Sequence, residues 1–172
     1  LPVVNRLTRW RSLPAPAAQP LRDLVPTGSD EEAAPPRIPS QVAGKTVALF
    51  PGCMTDRLYP EQGMAIVQTM RALGVKLVYP GGLNCCGLPA SNMGNETKAK
   101  KMAQETIVAL EDALARTDAD HIVSGSASCV AMLTQDYLHI FRNELTSQAR
   151  AEALAVKVMD FTSFLANVAQ IP

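Results

Sequence analysis

Short β-branched segments alternate with amphipathic helical segments from residue 45 onward, and this alternation constrains the fold more than any other feature of the chain. The predicted strands are 46–51, 75–80, 121–125 and 156–160. The predicted helices are 61–73, 96–116, 129–141, 145–156 and 161–169. Strands that alternate with helices join by right-handed crossovers into a parallel sheet. The sequence therefore predicts an α/β fold, a small parallel Rossmann-like sheet with helices on both faces.

The first 44 residues differ in composition from the rest. They hold eight of the chain's 13 prolines, and proline removes backbone donors and interrupts both helices and sheets. We therefore predict two parts, a proline-rich extended linker over 1–44 and a folded domain over 45–172. Four apolar residues of the linker are expected to dock as a short helical turn: Val3, Val4, Leu7 and Trp10.

Charge and hydropathy exclude several classes of partner. Sixteen basic and sixteen acidic residues give a formal net charge of zero, which argues against a nucleic-acid binder and against a polybasic membrane anchor. No apolar run approaches the ~20 residues of a transmembrane helix, so no transmembrane segment is expected. The chain starts at Leu1, without an initiator Met or the pattern of a secretory signal. We therefore expect a cytoplasmic protein, and we interpret the sequence as a piece of a longer polypeptide.

The cysteines follow the predicted strands. Cys53 comes after the first strand, Cys85 and Cys86 lie in the loop after the second, and Cys129 comes after the third. The carboxyl ends of parallel strands meet at one edge of an open sheet, where ligands bind. The topology therefore predicts that these four residues, distant in sequence, form one site. Glycines flank them and allow close backbone approach to a bound group: Gly52, Gly81, Gly82 and Gly87.

The cysteines admit four interpretations. Free cysteines are often small buried hydrophobes, but these lie in polar, glycine-rich loops. A structural zinc site usually draws on C-x₂₋₄-C pairs, and a thiol–disulfide enzyme on C-x-x-C; the chain has neither. An iron–sulfur cluster is larger, and neighbouring cysteines can reach its separate irons. The residues favour the cluster, and the other three interpretations remain alternatives.

Three motifs carry a resemblance to a known family. FPGC at 50–53, NCCG at 84–87 followed by LPA, and SGSASC at 124–129 together resemble the cysteine-rich CCG domain. That domain occurs in heterodisulfide reductase, in the iron–sulfur proteins of glycolate oxidase and anaerobic glycerol-3-phosphate dehydrogenase, and in lactate-utilisation proteins. The resemblance covers residues 46 to about 165. It is greatest to the glycolate oxidase and lactate-utilisation proteins.

The resemblance implies an oxidoreductase subunit that carries electrons rather than one that transforms substrate. A cluster of the [4Fe–4S] type, bound by all four cysteines, would take electrons from a flavoprotein that oxidises a 2-hydroxy acid such as glycolate or lactate, or glycerol 3-phosphate. FAD would belong to that partner subunit, and electrons would pass towards a quinone or another carrier. A second CCG half and an upstream ferredoxin-like domain are implied partners in the parent chain. The implied location is cytoplasmic, peripheral to the inner membrane through partners.

Two departures from the family pattern affect this interpretation. The full motif ends C-x-x-C, whereas here Met132 occupies the last position, and a thioether is a poor iron ligand. We therefore expect Met132 to be a core residue. This loss argues against cluster-based disulfide reduction of the heterodisulfide reductase kind, which stays an alternative beside a zinc-bearing structural module. Family members also carry two CCG halves, and this chain holds the first.

Other polar residues are interpreted as structural. Asp56 and Arg57 follow Cys53 and either face the site or are solvated loop charges, and the second interpretation is favoured. His121 and His139 are expected to be structural. Asn84 and Asn92 are either turn residues or hydrogen-bond donors to cluster sulfur. The helices that begin at Cys129 and Phe161 are expected to leave one apolar face that needs a neighbour.

Overall fold

A computed structural model of the chain describes residues 14–25 and 35–171. Its sheet has four strands, β1 (Thr46–Leu49), β2 (Lys76–Val78), β3 (His121–Ser124) and β4 (Val158–Asp160). All neighbouring pairs are parallel, and the strand order is β2-β1-β3-β4. The predicted fold class is confirmed.

The helices surround this sheet. They are α1 (Leu21–Leu24), α2 (Gly52–Arg57), α3 (Pro60–Ala72), α4 (Leu88–Asn92), α5 (Glu96–Arg116), α6 (Ala127–Ala131), α7 (Tyr137–Ile140), α8 (Leu145–Ala155) and α9 (Phe161–Ser163). A π-helical turn (Met132–Asp136) joins α6 to α7, and another (Phe164–Val168) follows α9. The predicted helix over 96–116 has the predicted ends. In the described ranges, no helix combines the length and the hydropathy needed to cross a membrane.

Both faces of the sheet are packed. Successive residues of a strand point to opposite faces, and Ala48 accordingly joins one core while Val47 and Leu49 join the other. The first core includes Ile107 of α5 and Leu154 of α8, and the second includes α3 and the C-terminal segment.

The apolar face that was expected to need a neighbour is partly covered within the chain. Of the six apolar residues expected there, Met132, Leu133 and Phe164 are 0–2% exposed, whereas Leu138, Phe161 and Leu165 are only partly buried. That a neighbour covers the rest stays a prediction.

Strand order determines where a site can form. From β1 the chain moves to β2 on one side and then crosses back to β3 on the other. The carboxyl end of β1 therefore lies at the point where the strand order reverses, and loops after three adjacent strands meet there.

Part of the proline-rich segment packs on the domain. Leu21, Val25 and Val42 are at most 2% exposed and belong to the core that contains α3. The amide of Ala17 donates to the carbonyl of Arg57 at 2.8 Å. The expected docking of Val3, Val4, Leu7 and Trp10 lies outside the described residues.

Substitution of Gly63 tests this packing. A Cβ at Gly63 would lie 2.3 Å from one methyl carbon of Leu21 and 2.9 Å from the other, so Gly63→Ala must displace the buried Leu21 side chain of α1. We expect a loss of about 1–3 kcal/mol in the free energy of unfolding, although alanine normally improves a helix by about 1 kcal/mol. Urea unfolding measures the change. Gly81→Ala is the matched control, because nothing lies within 4 Å of its Cβ position. A Gly63→Ala variant as stable as the wild type would contradict the packing of α1.

His121 predicts a pH dependence of stability. Its ring lies 5.9 Å from that of Phe164 in an edge-to-face arrangement, and its buried Nδ1 has no hydrogen-bond partner among the described residues. Burial lowers the pKa of His121 below 6.5. Below pH 6.5 the unfolded chain therefore binds a proton that the folded chain resists, and stability falls as the pH falls. Unfolding at pH 8 and pH 5 should show a smaller acid loss for His121→Phe than for the wild type; equal losses would rule out this role.

Candidate metal centre

Cys53 is positioned by the end of β1. The amide of Phe50 donates to the carbonyl of Val123 at 2.9 Å, and α2 then begins at Gly52. Gly52 has a φ of +74°, and a Cβ there would lie 3.0 Å from Cys129 Sγ. Glycine is therefore required at this position for two reasons. It adopts this backbone conformation readily, and it leaves room for the close approach of Cys129 Sγ. The sequence predicted a loop here, whereas Cys53 lies in the first turn of a short helix.

Cys85 and Cys86 lie between β2 and α4. Gly87 follows them with a φ of +94°, and a Cβ there would lie 3.2 Å from the carbonyl oxygen of Ala99 in α5. The buried hydroxyl of Tyr137 donates to the carbonyl of Cys86 at 2.8 Å. Contacts from two helices thus hold this loop against the sheet edge.

Cys129 lies in α6, directly after β3. It is 6% exposed, and Cys86 is 2% exposed, while Cys53 and Cys85 are half-buried. Two of the four side chains therefore belong to the buried core of the domain, deeper than the glycine-rich loops indicate. All four cysteines are free thiols.

The thiols form one continuous group, which we call the four-cysteine site: Cys53, Cys85, Cys86 and Cys129. The Sγ atoms of Cys53 and Cys85 are 3.5 Å apart. The Cys86 thiol interacts with the thiols of Cys129 and Cys85 on either side. The fold thus brings together side chains from the segments that follow β1, β2 and β3, which are up to 76 residues apart, the separation between 53 and 129.

Hydrogen bonds among these thiols shift their pKa values in opposite directions. Hydrogen bonding to Cys85 raises the pKa of Cys53, and hydrogen bonding to Cys129 and Cys85 raises that of Cys86. The pKa values of the thiols that accept these hydrogen bonds shift in the opposite direction. Hydrogen bonds from Cys53 and Cys86 lower the pKa of Cys85, and hydrogen bonding to Cys86 lowers that of Cys129 to about 7. Cys85 and Cys129 are therefore the thiols that lose a proton most readily, and thiolate is the form of cysteine that binds metals.

The arrangement is not that of a mononuclear site. Across the described ranges, no group of three or more His, Cys, Asp or Glu side chains is placed to hold a single metal ion. Cys85 and Cys86 are adjacent in the chain, which makes chelation of one tetrahedral ion awkward. An iron–sulfur cluster is larger than one ion, and neighbouring cysteines can bind its separate irons.

Asp56 corrects the sequence interpretation. It was expected to be a solvated loop charge, yet it is 1% exposed and forms an ion pair with Arg22. The hydroxyl of Tyr79 also donates to its carboxylate, at 3.2 Å. Arg22 and Tyr79 were not singled out from the sequence, because Arg22 lies among prolines with no periodic pattern and Tyr79 has the pattern of a strand residue.

The remaining assignments are simpler. Met132 is fully buried, as expected for a core residue. Arg57 is exposed, as are the side chains of Asn84 and Asn92. His139 is exposed on α7 and contacts Arg142.

Comparison with known families agrees with this geometry. A family model described as a cysteine-rich domain, CCG, matches residues 47–134, a range that contains all four cysteines. The chain belongs to the CCG cysteine-rich domain family. The resemblance drawn from the three sequence motifs is thereby confirmed.

Curated relatives of this CCG domain have one name in common. Lactate utilization protein A of Exiguobacterium sp. strain AT1b is 39% identical over 125 residues, which cover 73% of this chain and 49% of that protein. The protein of the same name from Geobacillus kaustophilus is 38% identical over 125 residues, with the same coverage. That from Bacillus velezensis is 37% identical over 122 residues, 71% of this chain and 48% of the relative. The chain spans about half the length of the curated relatives it matches.

Proposed function

We propose that this chain is an iron–sulfur electron-transfer module of the lactate-utilisation type, with its cluster bound by Cys53, Cys85, Cys86 and Cys129. The observation that carries the proposal is the meeting of four free thiols, from the segments that follow three adjacent strands, at the carboxyl edge of the sheet. The names of the curated relatives support the metabolic setting. In this proposal residues 45–172 are the first CCG half of a longer protein.

The donor set fits an iron–sulfur cluster better than its alternatives. Cysteine thiolates are the usual ligands of [4Fe–4S] clusters, and four are present. Structural zinc is disfavoured, because the chain has no C-x₂₋₄-C pair and the adjacent Cys85 and Cys86 chelate one tetrahedral ion awkwardly. When bound, the cluster would supply reversible one-electron transfer.

The protein's own residues would control access to the site. Cys86 and Cys129 are buried and would shield one side from water, whereas the half-buried Cys53 and Cys85 face the open side. Met54, next to Cys53, is 50% exposed and gives that side an apolar surface. A redox partner would therefore approach over Cys53 and Cys85.

An electron-carrying role also fits the positions of the two histidines. His121 begins β3, at the opposite end of the strand from the loop that leads to Cys129, and His139 is exposed on α7. Neither is placed to serve as an acid or base for a substrate at the thiols. In this proposal, which follows the family resemblance, substrate oxidation belongs to a separate flavoprotein subunit that carries FAD.

The proposal extends to the rest of the assembly. A second CCG half would account for part of the length that the relatives have and this chain lacks. An upstream ferredoxin-like domain, the flavoprotein subunit and a quinone or other acceptor complete the proposed route. The proposed location is the cytoplasmic side of the inner membrane, held there by partners.

Anaerobic reconstitution tests the proposal. The 172-residue chain is incubated with ferrous iron, sulfide and a thiol reductant, then desalted and assayed for iron, sulfide and visible absorption. We expect iron and sulfide in equal amounts, a brown colour that bleaches on reduction with dithionite, and an electron paramagnetic resonance signal from the reduced protein. Chain alkylated at its cysteines beforehand is the control. Zinc bound in preference to iron, without sulfide, would refute the proposal, and so would reversible disulfide formation without iron uptake.

A further inference from the structure

We propose that Arg22 is a positioning residue of the four-cysteine site, which joins the proline-rich segment to both chain segments that carry Cys53 and Cys85. The inference rests on the proposed function, since it concerns how the protein holds a cluster there. The residues involved are Arg22, Asp56, Tyr79 and Leu83, which we call the Arg22 clamp.

The strongest contacts of the clamp are to Asp56. The Asp56 carboxylate accepts hydrogen bonds from Arg22 Nε at 2.8 Å, from Nη2 at 2.5 Å and from the Arg22 amide at 3.1 Å. Tyr79 supplies a fourth donor at 3.2 Å. A carboxylate that is 1% exposed needs such partners, because an unpaired buried charge is strongly destabilising. Arg57 also approaches, but at 3.8 Å and with its side chain 57% exposed, so Arg22 provides the hydrogen bonds.

The clamp reaches the cysteine-bearing segments directly. Asp56 follows Cys53 by three residues in α2, so the two side chains lie on the same side of that helix. The same Arg22 Nη2 that binds Asp56 also approaches the carbonyl of Leu83, at 3.4 Å, two residues before Cys85. One guanidinium therefore contacts both α2 and the loop between β2 and α4.

Arg22 is itself held in place. Its neighbour Leu21 is fully buried against Gly63 of α3, and Ala17 is hydrogen-bonded to the backbone of Arg57. The docked segment thus fixes the position of Arg22, and Arg22 in turn contacts the segments that carry Cys53 and Cys85. The proline-rich segment is therefore part of the site.

The clamp also balances charge beside the site. A cluster with thiolate ligands is anionic, and Asp56 adds a buried negative charge one helical turn from Cys53. Without Arg22, that carboxylate would disfavour both cluster binding and the addition of an electron, because nearby charge tunes the potential of such clusters. Removal of the Asp56 charge should have the opposite effect on the potential.

The test compares variants of the reconstituted 172-residue chain. Cluster lifetime is measured as the rate of iron loss to a chelator, and the reduction potential by a spectroscopically monitored titration. For Arg22→Gln we expect iron loss several-fold faster than in the wild type and a lower potential. Arg22→Lys keeps the positive charge but lacks the planar guanidinium that binds a carboxylate through two nitrogens. It should therefore restore the reduction potential more fully than the cluster lifetime.

Two further variants separate positioning from general stability. Arg22→Gln combined with Asp56→Asn should bring the potential back towards the wild-type value, since the buried charge is gone. Arg150→Gln is the control, because Arg150 forms a bidentate pair of similar geometry with Glu111, between α8 and α5 and more exposed than the Arg22–Asp56 pair. That variant should leave lifetime and potential unchanged.

The possible results distinguish failure of the proposed function from failure of the Arg22 clamp. If wild-type chain binds no cluster, the proposed function fails. If wild-type chain binds a cluster and Arg22→Gln matches it in lifetime and potential, the function stands and the clamp is refuted. If Arg22→Gln does not fold, Arg22→Lys and Asp56→Asn carry the test, and a wild-type cluster lifetime in Arg22→Lys together with a wild-type potential in Asp56→Asn would overturn the inference.

Discussion

Replacement of Cys86 by serine is expected to leave a folded protein that retains little or no iron–sulfur cluster. Cys86 occupies the middle of the four-cysteine site, where its thiol interacts with those of Cys85 and Cys129. A serine hydroxyl is far less acidic than a thiol and does not supply the soft sulfur ligand that iron–sulfur clusters use. The expected result after reconstitution is loss of most of the bound iron and sulfide.

The fold should survive this substitution. The sheet and both cores depend on other side chains, and the hydrogen bond from Tyr137 goes to the backbone carbonyl of Cys86, which the variant keeps. The expected cost is about 1–3 kcal/mol for an imperfectly paired buried hydroxyl. Circular dichroism and urea unfolding of the apo-protein measure it. A Cys86→Ser protein that retained a full complement of iron and sulfide would show that Cys86 is not a ligand.

Truncation of Met132 is expected to give the largest stability change among the variants described. Unlike Cys86→Ser, it is expected to leave the bound iron in place. Met132 is fully buried in the π-helical turn, and its terminal methyl lies 3.6 Å from the Cβ position of Gly87. Met132→Ala removes that packing and leaves a cavity beside the cysteine loop. We expect a loss of about 2–5 kcal/mol in the free energy of unfolding, with iron and sulfide content retained.

The two substitutions control for each other. Both lie at the same end of the sheet, so a variant that damages the region in general would lower stability and iron content together. Crossed results, iron lost in Cys86→Ser and stability lost in Met132→Ala, support the ligand assignment. The reverse pattern, with iron stripped by Met132→Ala and retained by Cys86→Ser, would show that the wrong residues were assigned.

Most of the fold could be predicted because its signals are local. The helix over 96–116 was predicted from its continuous apolar stripe, and the structure adds the capping side chain of Asn95, which accepts from the amide of Lys98. The strands were placed to within three residues at either end, since β-branched runs bounded by turn residues identify them. The short helix α2 was missed because its start depends on the left-handed conformation of Gly52 beside Cys129, a contact between residues far apart in the chain.

The sequence by itself determined that the four cysteines would converge. Strands that alternate with helices form a parallel sheet, and a parallel sheet places the loops after its strands at one edge, whatever the side chains of those loops are. Tertiary structure alone decided how deeply each cysteine is buried and which residues support the site. Asp56 has the local pattern of a solvated charge, and it is buried because Arg22, 34 residues earlier, pairs with it. The burial of a charged group depends on a partner that packing brings from elsewhere in the chain, and local sequence does not specify that partner.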